Sequence, residues 1–376
     1  MARLYALARI IGPVYAAVFS SVALTKAAQS LSASFIHRKD LFQDWLMARA
    51  LAVGVDPYRP VHILASELSN ATGLTFDHAS PHPPSLLPLL RPLGAFEYRT
   101  VATAWIAFEV AALAATAVLL RRLRGYSRAL ALVLFLAVLG SDSSRYSLVL
   151  GQFGAFIALL TAAFVVAQRE KRFVLAGSAL GLALVIKFWG APLLLWLALQ
   201  RQWRTIAAAL LVAALFHAAS LVFLSPAAWL DYYLHTAPEV ARQYVGHAEN
   251  VSLSALSPWL TLGLLGIGAA ITLRHARAGL IMMLFLTPVV SPIAWLHGVL
   301  PWVVPFCMTL SPETPRRVQG LGALAVGLVL IGMTPAELWP AFQRPLYLLP
   351  VFVVMAYALF WATQEARSQG PEPETP

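Results

Sequence analysis

The run Gly177-Ser178-Ala179-Leu180-Gly181-Leu182-Ala183-Leu184-Val185-Ile186-Lys187-Phe188-Trp189-Gly190-Ala191-Pro192 decides the fold class. An apolar stretch with no ionisable group ends at one ammonium, a Trp and a Gly-Ala-Pro break, and a second apolar run over residues 189–200 follows at once. A lone charge at such a break belongs to a chain embedded in lipid, where non-helical backbone is tolerated only inside protein or beside a water-filled cavity. Neither run is long enough to cross the bilayer as a straight helix, since a span needs about 20 residues. The pair therefore reads as two half-helices meeting over a polar break.

Apolar runs of the same kind recur from residue 10 to residue 363. The chain is 59% hydrophobic and 12% charged, with a mean hydropathy of +0.72, whereas a soluble domain is about 45–50% apolar and about 25% charged. A soluble fold is excluded. Twelve candidate spans fall near 8–28, 98–120, 127–141, 150–167, 172–187, 189–200, 203–224, 255–273, 278–290, 297–310, 319–333 and 345–363. The expected architecture is an all-α integral membrane protein of about 12 transmembrane helices, several short or broken. Residues 1–366 form one polytopic membrane domain, and the Pro/Glu-rich residues 367–376 form a disordered cytoplasmic tail. The first run lacks a small-residue cleavage site after a short core and is read as a retained span. Cys307 is the only cysteine, so no intrachain disulfide can form. The formal charge of +10 is spread as short clusters between apolar runs, a pattern that suits anionic headgroups and not nucleic acid.

Those clusters orient the chain. Arg121-Arg122, Arg169 with Lys171-Arg172, Arg201 with Arg204, and Arg274 with Arg277 fall on one side of the alternation and mark it as cytoplasmic. Both termini are then cytoplasmic in an inner (plasma) membrane. Long extracytoplasmic loops at 29–97 and 225–254, short turns at Ser141–Gly151 and Ser291–His297, and the Lys187 break gather nearly every unusual polar residue on the outer face. The inner loops read as anchors and the outer ones as a site.

Within the first loop, Asp40-Leu41-Phe42-Gln43-Asp44-Trp45-Leu46-Met47-Ala48-Arg49-Ala50-Leu51-Ala52 has helical apolar spacing and stops at Gly54. It is expected to lie as an amphipathic helix along the outer membrane surface. Asp40 and Asp44 share a face and read either as a cap with a solvated face or as a carboxylate general base. Ser80-Pro81-His82-Pro83-Pro84 is a stiff entry into Leu86-Leu87-Pro88-Leu89-Leu90, structural in itself or a mount that presents His82 to substrate. Arg145 and Gln152 bracket the outer end of the fourth span, where both are costly in lipid. Arg145 is a snorkelling anchor or a phosphate fork. Lys187 is an interfacial anchor or an anion-binding group, and His297 closes a second broken pair at Ser291-Pro292-Ile293-Ala294-Trp295-Leu296-His297. No Gly-rich phosphate loop, Cys pair or His-x-x-x-His pair is found, so neither a nucleotide-hydrolysing engine nor a structural zinc site is supported.

Taken in order, these segments resemble glycosyltransferase family 87, the DUF2029 group that includes mycobacterial α-1,2-mannosyltransferases. The family's Asp after the first span and Ala-rich helix ending Gly-x-x-x-Tyr is similar to Asp40–Gly54 and Tyr58. Its aromatic-x-Pro-Pro, Gly-Gln, Lys before a broken span, Asn-x-Ser and Ser-Pro-x-x-Trp-x-His are similar to His82-Pro83-Pro84, Gly151-Gln152, Lys187, Asn250-Val251-Ser252 and Ser291 to His297. The chain departs from the family where Gly154 stands for a frequent Asn and His82 for the usual Tyr. The resemblance implies a GT-C membrane enzyme moving a monosaccharide, with mannose favoured, from a polyprenyl-phosphate donor to a lipid or glycan acceptor on the extracytoplasmic face. Asp40 or Asp44 would be the base of an inverting displacement. Arg145, Lys187 and His297 would hold the donor phosphate, and His82, Gln152, Asn250, Tyr58 and Trp295 would hold sugar or acceptor. The rival reading is a secondary transporter or lipid flippase, because broken helices with charged ends also line substrate paths.

Overall fold

A computed structural model describes residues 2–69, 71, 78–245, 247, 250 and 252–309, with side chains from residue 12 onward other than those of 189, 296, 297 and 309. Every regular element among the described residues is helical. The helix Tyr98–Arg124 has the length and apolar character to cross a membrane, as does Trp203–Ser220, and Arg128–Leu139 with Asp142–Leu150 makes a third span if that pair, bent by 61°, is counted as one. Shorter apolar helices cover Gly154–Arg169, Phe173–Ile186, Pro258–Arg274 and Ala276–Val289. The candidate spans at 319–333 and 345–363 lie outside the described residues.

Local chemistry explains where these helices stop. Gly125 takes the left-handed conformation (φ +68°) after Arg121, Arg122 and Arg124, which complement the carboxyl end of Tyr98–Arg124. Lys187 is extended (φ −152°) and ends Phe173–Ile186, and Pro192 opens Ala191–Leu199. The Phe173–Ile186 and Trp203–Ser220 helices approach so closely that a Cβ on Gly177 would lie 2.4 Å from the Thr205 carbonyl oxygen and one on Gly181 2.6 Å from that of Ala209. Small residues spaced by four are what let membrane helices pack backbone to backbone. Phe108, Val118, Leu211 and Leu215 point outward on the two long helices, as residues facing lipid would.

Two expectations fail in detail. Residues 141–151 are not a turn: Asp142–Leu150 is a helix, started by Ser141, whose hydroxyl accepts from the Ser144 N–H at 3.2 Å, and ended by left-handed Gly151 (φ +73°). Its polar residues satisfy a helix start and buried contacts. Nor does Asp40–Val53 lie as a one-sided amphipathic helix. Every residue from Leu41 to Ala48 is buried, because the chain folds back as the helices Val61–Leu68 and Leu87–Leu90 and packs over it. Trp45 Nε1 donates to the Phe96 carbonyl at 2.9 Å and Arg49 Nη1 to that of Gly94 at 3.0 Å. A second apolar core results, in which Leu41, Phe42, Leu46 and Met47 pack with Leu86, Tyr98, Trp105, Phe153 and Ile186. It ties the loop rigidly to the bundle beneath it.

The second long loop is also structured: it contains the helices Pro226–Asp231, Ala237–Tyr244 and Leu253–Leu256 and a π-turn at Tyr232–Thr236.

Candidate active site

Asp40 opens the first turn of Asp40–Val53, and Gln152, two residues beyond the Asp142–Leu150 helix, donates through Nε2 to Asp40 Oδ2. Gly151 makes this approach possible: its Cα faces Leu41 so closely that a Cβ would lie 2.6 Å from Leu41 Cβ, and its φ of +73° suits only glycine without strain. Gln152 is further fixed by Trp105, whose indole N–H donates to the Gln152 carbonyl at 3.3 Å.

One turn on, Asp44 is 1% exposed and its Oδ1 stands 3.3 Å from His82 Nε2, while His82 is 2% exposed. The two are close enough to attract but not aligned as a hydrogen bond, and Asp44 Oδ1 and His82 Nδ1 have no hydrogen-bond partner among the described residues. The His82 ring meets Phe153 edge-on, with centroids 5.3 Å apart. The Pro81–His82 backbone is held from below by two phenols. Tyr58 donates to the His82 carbonyl at 2.9 Å and Tyr232 to that of Pro81 at 2.6 Å, their rings 4.7 Å apart.

Burial separates the two carboxylates in character. It raises Asp40 to about 6, against the lowering effects of the Gln152 hydrogen bond and then of the charges of Lys187, His78 and Lys39. Asp40 nonetheless keeps part of its surface open. Asp44, deeper, is held well above the carboxylate range by burial and by Asp40, with Lys187 opposing. His82 is pushed down to about 3 by burial and then by Lys187. Near neutral pH the site therefore holds an ionised Asp40 and a neutral imidazole, while burial and the neighbouring Asp40 both push Asp44 toward its protonated form.

The loop from 225 supplies the remaining wall. Tyr244 shares a 2.7 Å hydrogen bond with His78 Nε2, and its ring meets Trp295 edge-on at 5.1 Å, with His247 5.3 Å from Trp295. Asn250 holds this wall together. Its amide donates to the Tyr244 and Pro292 carbonyls at 3.1 and 3.0 Å and accepts from the Ser252 and Ala294 N–H groups at 3.1 and 3.0 Å.

Of the residues expected from sequence, Asp40, Asp44, His82, Gln152, Tyr58 and Lys187 converge, and Trp295 enters through Tyr244 and His78. Asn250 spends all four of its hydrogen-bonding positions on backbone, so it shapes the wall and has no amide group left for a sugar. Arg145 is engaged elsewhere: Nη2 is 2.6 Å from Asp142 Oδ1 on the same helix and the guanidinium lies over Tyr146. The side chain of His297 lies outside the described residues. Sequence reasoning missed Lys39, Glu109, His78, Tyr244 and Tyr232. Glu109 carried a readable signal, an isolated carboxylate inside an apolar span; the His78–Tyr244 pairing, across 166 positions, carried none.

A family model, Glycosyltransferase family 87, matches residues 81–312. The chain belongs to glycosyltransferase family 87. The match covers His82, Gln152, Lys187, Asn250, Trp295 and His297 and begins beyond Asp40 and Asp44. Two curated relatives, each an "Alpha-(1->3)-arabinofuranosyltransferase" from a strain of Mycobacterium tuberculosis, are 30% identical over 209 residues, 52% of this chain and 48% of theirs. The chain thus spans about half the length of the curated relatives it matches.

Proposed function

We propose that this family-87 chain transfers a monosaccharide from a polyprenyl phosphate to a hydroxyl of a lipid or glycan acceptor at the extracytoplasmic face, by direct displacement with inversion. The carrying observation is the asymmetry of the two carboxylates: Asp40 is partly accessible and, raised to about 6, ionises near neutral pH, whereas Asp44 is 1% exposed. In the reaction, the acceptor oxygen bonds to the anomeric carbon as the bond from that carbon to the donor phosphate breaks. The bonding pair leaves with the phosphate, and the acceptor proton passes to Asp40. Gln152 orients the carboxylate through one oxygen and leaves the other for the acceptor.

Polyprenyl phosphate departs as an anion, so it needs positive charge and not a proton. Lys187, whose field already reaches Asp40, Asp44 and His82, is the first candidate to stabilise it, with His297 at the other helix break. Arg145 would have to leave Asp142 to join them. Neutral His82 can offer a hydrogen bond to a sugar hydroxyl, and Trp295, Tyr244 and Tyr58 offer aromatic faces. The relatives' activity moves arabinofuranose ahead of the mannose expected from sequence. A lipid-borne donor also suits the topology inferred from the basic clusters: about twelve spans, both termini cytoplasmic, the site on the outer side of the inner membrane.

Purified protein offered a panel of polyprenyl-phosphate sugars and glycan or lipid acceptors should release one polyprenyl phosphate per glycosidic bond formed, by mass spectrometry. Turnover of a nucleotide sugar in place of the lipid-linked one overturns the donor assignment. The rate should also carry an acidic limb. Asp40 must be ionised to accept a proton, and burial raises it to about 6, so kcat/KM should be full above neutrality and fall tenfold per pH unit below about 6. A rate that stays flat down to pH 4 contradicts the base.

A further inference from the structure

Lys39 is fully buried, a placement the sugar-transfer scheme does not use and which is costly for an ammonium unless paired. Its Nζ donates to Ser30 Oγ at 2.7 Å, to the Leu148 carbonyl at 3.2 Å and to the Val149 carbonyl. All three ammonium hydrogens are thereby spent. Leu148 and Val149 are in the last turn of Asp142–Leu150, where carbonyls lack intrahelical partners and a cation complements the helix dipole. Glu109, fully buried on Tyr98–Arg124, acts on Lys39 through its field and accepts from Ser147 Oγ of that same short helix.

The chain order turns this into a register device. Three successive residues of one strand of chain meet one short segment of another: Lys39 holds the Leu148 and Val149 carbonyls, Asp40 takes the Gln152 amide, and Leu41 packs on Gly151. An ammonium buried for stability alone could sit anywhere in the core; this one is latched beside the carboxylate and onto the helix whose end supplies that carboxylate's hydrogen-bond donor.

We propose that Lys39 is a positioning residue for the transfer reaction, which with Glu109 locks the segment 39–41 onto residues 148–152 and so fixes the Asp40 carboxylate against Gln152. The inference rests on the reading of Asp40 as the base. A misplacement of the order of 1 Å costs about 100-fold in rate, so Lys39→Met should lower kcat about 100-fold while the donor KM, set by groups Lys39 does not touch, stays within about threefold. The charge matters as well. The Asp40 carboxylate is faced by Lys187 from the helix break, His78 from the first loop, Asp44 on its own helix, Tyr244 from Ala237–Tyr244 and Lys39, and Lys39 itself by Glu109. Burial raises Asp40 and Lys39 opposes it, so removing the ammonium should move the acidic limb of kcat/KM to higher pH.

Lys39→Met alone strands a buried Glu109, and its fold is therefore followed by thermal unfolding in detergent. The double variant Lys39→Met/Glu109→Gln removes both charges, and Lys39→Arg retains charge and donors. We expect the double variant to unfold close to the wild-type temperature yet keep the lowered kcat and displaced limb, and Lys39→Arg to keep the wild-type limb. Recovery of kcat together with stability in the double variant, or an unmoved limb in both Met variants, makes Lys39 merely structural and overturns the inference. Asp40→Asn separates the two levels. If it abolishes transfer while the Lys39 variants leave kcat intact, positioning alone fails; if it transfers at the wild-type rate, the base assignment fails and this inference with it.

Discussion

Asp40→Asn should lower the rate of transfer by about 100- to 10,000-fold, the largest effect expected from any single side chain. Asn matches Asp in shape, but its carboxamide cannot take up the acceptor proton. The variant should fold, because removing a charge that burial already disfavours relieves desolvation. It should also bind donor normally, since the lost interaction develops only as the acceptor oxygen attacks. Asp44→Asn is the control. Asp44 is 1% exposed and is raised by burial and by Asp40, so it presents no open oxygen to an acceptor hydroxyl and the rate should change by less than about tenfold. Initial rates of the two purified variants, measured side by side, check both statements. Equal losses would mean that the carboxylates act as one unit.

Lys187→Met should cost about 100- to 1,000-fold in kcat, the range seen when one group stabilising developing anionic charge is removed. Met keeps most of the aliphatic stem that packs at the break between Phe173–Ile186 and Ala191–Leu199, so the loss reports on charge. A second consequence has a defined sign. Lys187 opposes the burial that raises Asp40, so without it the acidic limb of the rate should shift to higher pH. Lys187→Arg, which restores the charge on a wider fork, should return the limb toward its wild-type position and recover part of kcat. Rates across pH 5–8 in all three proteins separate a leaving-group role, which lowers the plateau, from a purely electrostatic effect on Asp40, which moves only the limb.

The parts of this site that were legible in the sequence are those where composition is locally anomalous. Lys187 interrupts an apolar run, His82 stands among prolines and Gln152 follows Gly151 at a span end, and each proves to lie at a helix break, a stiff loop or a left-handed turn. The helix from Asp40 was legible through its apolar spacing and the glycine at its end. Its burial on nearly every side was not, because that depends on where residues 61–68 and 87–90 fold back. The helix Asp142–Leu150 was hidden for the opposite reason: Ser141, Ser144 and Ser147 read as loop residues until their hydroxyls are seen capping and bonding inside the bundle. Lys39 carries no signal in the sequence, and only the fold shows its ammonium held by two carbonyls and a hydroxyl. Asn250 stands out in the sequence as a polar residue of the outer loops, and its partners are backbone groups up to 44 positions away.

The stereochemistry of one turnover tests most directly whether an acceptor hydroxyl activated at Asp40 displaces the donor phosphate in a single step. With a polyprenyl-phosphate sugar of known anomeric configuration, the glycosidic bond in the product, read by the one-bond carbon–hydrogen coupling at the anomeric centre, should carry the opposite configuration. A product that keeps the donor's configuration would require a glycosyl-enzyme intermediate or a frontside path, and direct displacement with Asp40 as the base could not stand.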